Sequence, residues 1–404
     1  MSSANSPSDS GRIIHEIQWS EALPWWILFR AAGTAFAPTV LLLAMVGSLA
    51  LWAGWSLVDR MQLAPATLAA DAIISADVAS VQQTELVIPT AAGYLAGTTW
   101  NLLGFSPDRS DRVTIFSWLP RAAAGVVRLV VLPFNPTATL PQIGDACARI
   151  GWFVLVWSIF GTAITRHVAL KLIGEDAPGL VGSIWYGTSK WLASFNSVAF
   201  VLLGIVAMAV PGAILGLCMR TDIGLAVAGA FWPLVLGGAV VLAILAVGVV
   251  AGWPLMVAAV GVERGDSFQA ISTAFSYLYQ RPLHYAFYGF VAMIVLLPAL
   301  FVAELFADAI TMLAFWAASL GMGRDRAVVV MNGLSSGLPD ASETAQWGVN
   351  ALLFWTRGVG SILGSFGWGY FWAIATATYL LLRQDVDGTE LDEVVLDEPS
   401  GESA

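Results

Sequence analysis

Residues 223–262 form forty consecutive positions with no charged side chain and no Ser, Thr, Asn, Gln or His, only apolar residues, Gly and two prolines. A helix needs about 20 apolar residues to cross the hydrocarbon core of a bilayer. This run is twice that length, so it belongs in lipid rather than inside a soluble domain. The rest of the chain agrees: 58% of its 404 residues are apolar and 11% are charged, where a soluble domain carries about a quarter charged residues. The expected fold is all-α, a polytopic transmembrane helical bundle of about six spans with cytosolic amphipathic helices.

Charge-free stretches place those spans at 31–58, 150–165, 197–219, part of 223–262, 282–303 and 358–382. The second is short for a bilayer, but it extends back past Arg149, whose long side chain is expected to snorkel to the interface. The first begins too far from the N-terminus and is too long for a cleavable signal peptide, so a signal anchor is expected. Within the forty-residue run, Trp232-Pro233 and Trp253-Pro254 stand 21 positions apart, about 31 Å along a helix. Tryptophan favours membrane interfaces. Trp232 and Trp253 are therefore expected as interfacial anchors of one span, whereas a hairpin would have to turn at Gly237 and Gly238.

Orientation is read from Lys and Arg in short loops. With the N-terminus inside, the inner segments hold Arg12, Arg30, Arg166, Lys171, Lys190, Arg264, Arg281 and Arg383, against Arg220, Arg324 and Arg326 outside. Both termini are expected in the cytoplasm, with the chain in the cell inner membrane. The organisation that follows is a cytoplasmic segment with an interfacial helix (1–30), the first span (31–58), an extracytoplasmic segment with an interfacial helix (59–148), a four-span core (149–308), an extracytoplasmic connection (309–347), the last span (348–383) and an acidic disordered tail (384–404). In the long outer segment, the apolar stretch 126–134 reads as a helix at the interface or against the outer ends of the spans.

Two cytosolic connections resemble one another. Ile184, Trp185, Trp191 and Leu192 in the first, and Phe268, Ile271, Phe275 and Leu278 in the second, recur at helical three-and-four spacing. The net charge of −10 is concentrated in the tail, where Asp385, Asp387, Glu390, Asp392, Glu393, Asp397, Glu398 and Glu402 lie. Arg383 and Val394 fall where a calcium loop needs its first and twelfth ligands, so an EF-hand is rejected.

The spans hold no ionisable residue near their centres, where coupled carriers and pumps usually keep one. His15, His167 and His284 are over a hundred residues apart and lack a partner ligand at i, i+3 or i+4, so no metal, cofactor or catalytic residue is assigned. Glu304 and Asp308, one turn apart after the fifth span, and Arg357 before the sixth are a candidate outer ion pair, set against three independent snorkelling side chains. Cys147 and Cys218 are expected at one outer level, where a disulfide or two free thiols would fit. Gly212/Gly216, Gly248/Gly252 and Gly360/Gly364 show the small-xxx-small spacing of closely packed helices.

The strings Trp157-Ser158-Ile159-Phe160-Gly161-Thr162-Ala163-Ile164-Thr165-Arg166, Gly252 to Met256, Asp266-Ser267-Phe268-Gln269-Ala270-Ile271-Ser272 with Phe275-Ser276-Tyr277, and Tyr379-Leu380-Leu381-Leu382-Arg383 with Asp387-Gly388-Thr389-Glu390 resemble a group of uncharacterised bacterial multi-span membrane proteins. The resemblance covers residues 157–393. It implies architecture and carries no activity or substrate. The expected function is a non-catalytic structural, assembly or partner-binding membrane component. Its partners would be the lipid bilayer, and proteins at the cytosolic helices or the acidic tail, but not nucleic acid. The alternatives are channel- or permease-like transport of an apolar or amphiphilic solute and, behind it, a lipid-modifying enzyme.

Overall fold

A computed structural model describes residues 23–63, 126, 129–130, 132–134, 138–336 and 342–390 of the chain. The described residues fold into helices with no strand. In chain order they are α1 (Ile27–Ala35), α2 (Pro38–Arg60), α3 (Leu140–Ile173), α4 (Leu180–Cys218), α5 (Asp222–Ala230), α6 (Trp232–Glu263), α7 (Ser267–Gln280), α8 (Pro282–Met322), α9 (Arg324–Ser336), α10 (Glu343–Gly364) and α11 (Phe366–Asp387). Among these, α2, α3, α4, α6 and α8 are long and apolar enough to cross a membrane.

Local chemistry sets the boundaries. Pro38 forces Ala37 into an extended conformation (φ −62°, ψ 135°), which splits the expected first span into α1 and α2. A capping box starts α3: Thr139 N–H donates to Gln142 Oε1 (2.9 Å) while the Thr139 side chain takes the N3 amide. Gly174, at φ 87°, ends it. Thr221 accepts from Gly224 N–H to open α5, and Asp266 accepts from Gln269 N–H to open α7. The helix α6 runs unbroken through Gly237 and Gly238 and stops at Arg264 in the left-handed region (φ 60°).

Several expected boundaries move. The sixth span is not one helix: α10 and α11 meet at Ser365, and the Trp, Tyr, Thr and Gly residues of α11 lower its hydropathy below that of the five apolar helices. The first cytosolic helix is no separate element, because residues 180–194 are the opening turns of α4. The fifth span continues as α8 to Met322, through much of the expected 309–347 connection. The tail begins ordered, since α11 remains helical to Asp387 and ends at Gly388 (φ 70°). Most of 59–148 lies outside the described residues, but Leu129 and Leu132 are buried, and the short Leu132–Phe134 turn packs against α3.

The core is built around α3, which packs against α1, α2, α4, α6 and α11. Between helices in lipid, apolar burial alone gives little drive, so close backbone approach and interdigitation carry association. The glycines show where this happens. A Cβ on Gly187 of α4 would stand 2.3 Å from the Ile159 carbonyl oxygen of α3, and one on Gly161 would strike the Trp372 ring at 2.8 Å. Of the three small-residue pairs, Gly248 receives the Phe275 ring, while Gly212, Gly216, Gly360 and Gly364 face open space.

An aromatic stack fills the centre. Trp157 lies 4.8 Å from Trp368 and 5.9 Å from Trp372, centroid to centroid, and Trp372 lies 5.2 Å from Trp253. Phe153 closes on Trp253 at 5.2 Å. Trp253, expected as an interfacial anchor, is thus half-buried in the joint between α3, α6 and α11, whereas Trp232 is exposed at the start of α6.

Candidate functional site

At the end of the bundle where α6 stops, three helix segments converge. Glu263 is the last residue of α6, α7 folds back along it with Ala270, Ala274, Tyr277 and Leu278 buried, and the final turns of α11 arrive beside both. This spacing buries one face of α7 and leaves Phe268 outside.

Tyrosines and carboxylates knit the convergence together. Tyr379 O–H donates to Glu263 Oε1 (2.5 Å), Arg383 Nε stands 3.4 Å from the same oxygen, and Gln269 Nε2 donates to Oε2 (3.0 Å). Tyr277 O–H donates to Asp387, and its ring lies 5.5 Å from the Tyr379 ring. Tyr288 O–H donates to Asp385 Oδ2 (2.8 Å), which also faces His284 Nδ1 at 3.1 Å. Burial first, then the hydrogen bond to Asp387 and the charges of Asp387 and Glu263, push the Tyr277 phenol well above its ordinary value. The phenols donate in every case, and their bonds clamp α11 to α6, α7 and α8. The strings 266–277 and 379–390, singled out by resemblance, both supply residues to it.

Beside the clamp, cations gather on one ring. Arg166 Cζ lies 5.3 Å and Arg264 Cζ 5.9 Å from the Tyr186 centroid, and Lys190 Nζ donates to the Arg264 carbonyl (2.8 Å). Tyr186 O–H donates to Val260 O (2.9 Å), which ties α4 to α6. His167 Nδ1 lies 2.9 Å from Pro178 O, which also accepts from Ser183 Oγ (3.2 Å).

The opposite end carries a buried ion cluster. Arg149, only 2% exposed, holds Asp145 through Nε (2.8 Å) and NH2 (3.2 Å), Asp59 through NH2 (2.6 Å), and the Trp55 carbonyl through NH1 (3.3 Å). Trp55 Nε1 donates back to Arg149 O (3.1 Å). The arginine expected to snorkel is instead the staple between α2 and α3. Asp145, one turn earlier on the same helix, was the signal for it.

The other singled-out residues stay apart. Glu304, Asp308 and Arg357 are exposed, and none of the salt bridges among the described residues joins them. Cys147 and Cys218 are both exposed free thiols. Cys147 lies 26 positions before the end of α3 and Cys218 38 positions after the start of α4, about 39 and 57 Å along the two helices. That offset of about 18 Å exceeds the span of a disulfide. His15 lies outside the described residues, His167 is buried and His284 is exposed. No group of three or more His, Cys, Asp or Glu among the described residues is arranged to hold a metal ion. Comparison with known protein families, curated proteins and solved structures finds no match to this chain.

Proposed function

We propose that the chain is an integral protein of the cytoplasmic membrane, with both termini in the cytoplasm, that acts without catalysis as a docking platform for a protein partner. The observation that supports this reading is the clamp itself. Asp385 and Asp387, the first acids of the tail, are held by Tyr288, His284 and Tyr277. The tail therefore starts from a fixed point beside α7 and the first turns of α8. Val181, Trp185 and Leu192 on α4 and Phe268 on α7 are exposed apolar side chains that a partner engaging Asp385 and Asp387 would also cover. A partner with a basic, apolar-edged face fits such a surface. The resemblance to multi-span bacterial membrane proteins agrees with the membrane setting.

Photo-crosslinkers at positions 268 and 390 test the reading in intact cells. A shared adduct from both positions, lost when Tyr277→Phe is combined with Asp387→Asn, is expected. Adducts that differ between the two positions, or that survive the double substitution unchanged, would refute it.

Permease-like transport is the second reading, and one observation favours it: Ser158, Thr162 and Thr165 of α3 and Ser194 and Ser197 of α4 are all buried. Three of them bond within the helix pair, Thr162 to Ser194 at 2.6 Å and Ser197 to the Ser194 carbonyl at 2.7 Å, as in a closed packing seam. Solute flux into proteoliposomes that stops on Thr162→Leu would favour transport over docking.

A further inference from the structure

We infer that one surface of the bilayer crosses the bundle at the junction between α7 and α8, where lipid headgroups meet Arg281 and His284. On the far side of that level, α7, α11 and the adjoining ends of α3, α4 and α6 stand outside the lipid as a helical head. This placement shares only the membrane setting with the docking reading and holds whichever way the termini face.

The junction is set well back from the end of α6. Tyr279 and Tyr285, on either side of Arg281, donate to the carbonyls of Ile244 and Ala251. Those carbonyls are 19 and 12 positions before Glu263, the last residue of α6, about 28 and 18 Å along the helix. Arg281 and His284 are exposed at this level, and both face Asp385 of α11. A bilayer reaching the end of α6 would carry these ionisable groups toward its midplane, where they are costly. With the surface at the junction they meet headgroups and water instead. The opposite surface then falls on a charge as well. Glu304, also exposed, is 20 positions after His284 with no Asp, Glu, Lys, Arg or His between them, about 30 Å, the thickness of a hydrocarbon core.

Burial changes at the same level. Of residues 223–247 only Ala228 is buried, whereas 255–262 are buried throughout. The forty-residue run thus divides into one lipid-facing span and a segment enclosed by other helices, which accounts for its double length. On the lipid side, α4 exposes Leu203, Val206 and Ile214, and α8 exposes Phe290, Met293 and Phe301. The head has the reverse arrangement. Residues 161–170 and 372–382 are buried throughout, and the surface around them carries exposed Lys171, Glu175, Asp176, Ser189, Asp266 and Gln269. A polar outside over a closed interior suits water, and a continuous apolar outside suits lipid. The low hydropathy of α11 follows, since a helix packed inside the head keeps buried Thr376 and Thr378 without facing acyl chains. Val181, Trp185 and Phe268, exposed on the head, stand clear of the lipid, where a protein partner can reach them.

Depth measurements on the full chain in phosphatidylcholine vesicles test the placement without any protein partner. In a Cys147→Ser, Cys218→Ser background, one nitroxide-labelled cysteine is introduced at a time at an exposed position: Lys171→Cys, Ser272→Cys, Gln280→Cys, Leu203→Cys, Val240→Cys or Met293→Cys. Each label is read for its collisions with oxygen, which concentrates in hydrocarbon, and with a neutral nickel chelate supplied in the water on both faces of the vesicle. The oxygen-to-nickel ratio is expected to be high at 203, 240 and 293, low at 272 as at the water reference 171, and between the two at 280. Ratios at 272 and 280 that reach the value at 293 would put the junction in hydrocarbon and overturn the head. Ratios at 203, 240 and 293 as low as at 171 would overturn the lipid side of the placement.

Discussion

Replacing Arg149 by Leu separates a buried staple from a snorkelling side chain. In wild type the guanidinium makes two bonds to Asp145, one to Asp59 and one to the Trp55 carbonyl. Asp145 is 1% exposed, so Arg149→Leu strands a carboxylate with no water and no counter-ion. Breaking a buried pair in this way costs about 3–5 kcal/mol. Asp59 is 30% exposed and can hydrate, which keeps its share small. The companion variant, Arg149→Leu with Asp145→Leu, removes both charges and should return to within about 1–2 kcal/mol of wild type, because well-packed apolar replacements of buried pairs are often neutral. Steric trapping in bicelles measures these free energies. A loss under about 1 kcal/mol for the single variant, or a double variant no better than the single, would refute the staple.

Gly187→Ala should destabilise α3 against α4 by about 1–3 kcal/mol, the cost of overpacking, because its Cβ would meet an Ile159 carbonyl that cannot rotate away. Gly212→Ala, with open space around it, should change nothing in the same assay. The raised Tyr277 phenol gives a pH signature: an unfolded tyrosine ionises near 10 and the folded one holds its proton. Its stabilisation is therefore complete below about pH 10 and is lost as pH rises above that. Thermal melts above pH 10 should fall more steeply for wild type than for Tyr277→Phe. Cys147 and Cys218 should migrate identically on reducing and non-reducing gels after mild oxidation, and an intramolecular crosslink between them would contradict the helix offset.

The all-helical class and the positions of the long apolar helices were legible because charge-free length is a direct consequence of the solvent a segment lives in. The interior was less so. Trp253 and Trp232 share the same Trp-Pro signature, yet one stacks on Phe153 and Trp372 and the other is exposed. Only tertiary packing separates them. Arg149 was misread because a charge at a span edge has two low-energy solutions: Asp145, one turn earlier, points to the buried one, but Asp59 and the Trp55 carbonyl, which complete it, are 90 and 94 residues away in sequence. The clamp was missed for a related reason. Asp385 and Asp387 read as the start of a solvated tail, and their partners Tyr277 and Tyr288 sit on two other helices. Three tyrosines amid apolar stretches close to Glu263 or the tail acids were the available hint, since a buried phenol requires an acceptor.

The tryptophan stack turns the joining of α3, α6 and α11 into something that can be watched. Trp368, Trp157, Trp372 and Trp253 follow one another along the stack with centroids 4.8, 5.9 and 5.2 Å apart. At such spacing indole transitions couple, so the assembled bundle should show an exciton couplet in its far-ultraviolet circular dichroism and depolarised fluorescence from energy migration among the rings. The Trp157 share of the signal requires α3 seated on α11 and the Trp253 share requires α6 there as well, so comparison with Trp157→Phe and Trp253→Phe makes the chain its own optical gauge of assembly, with no label attached.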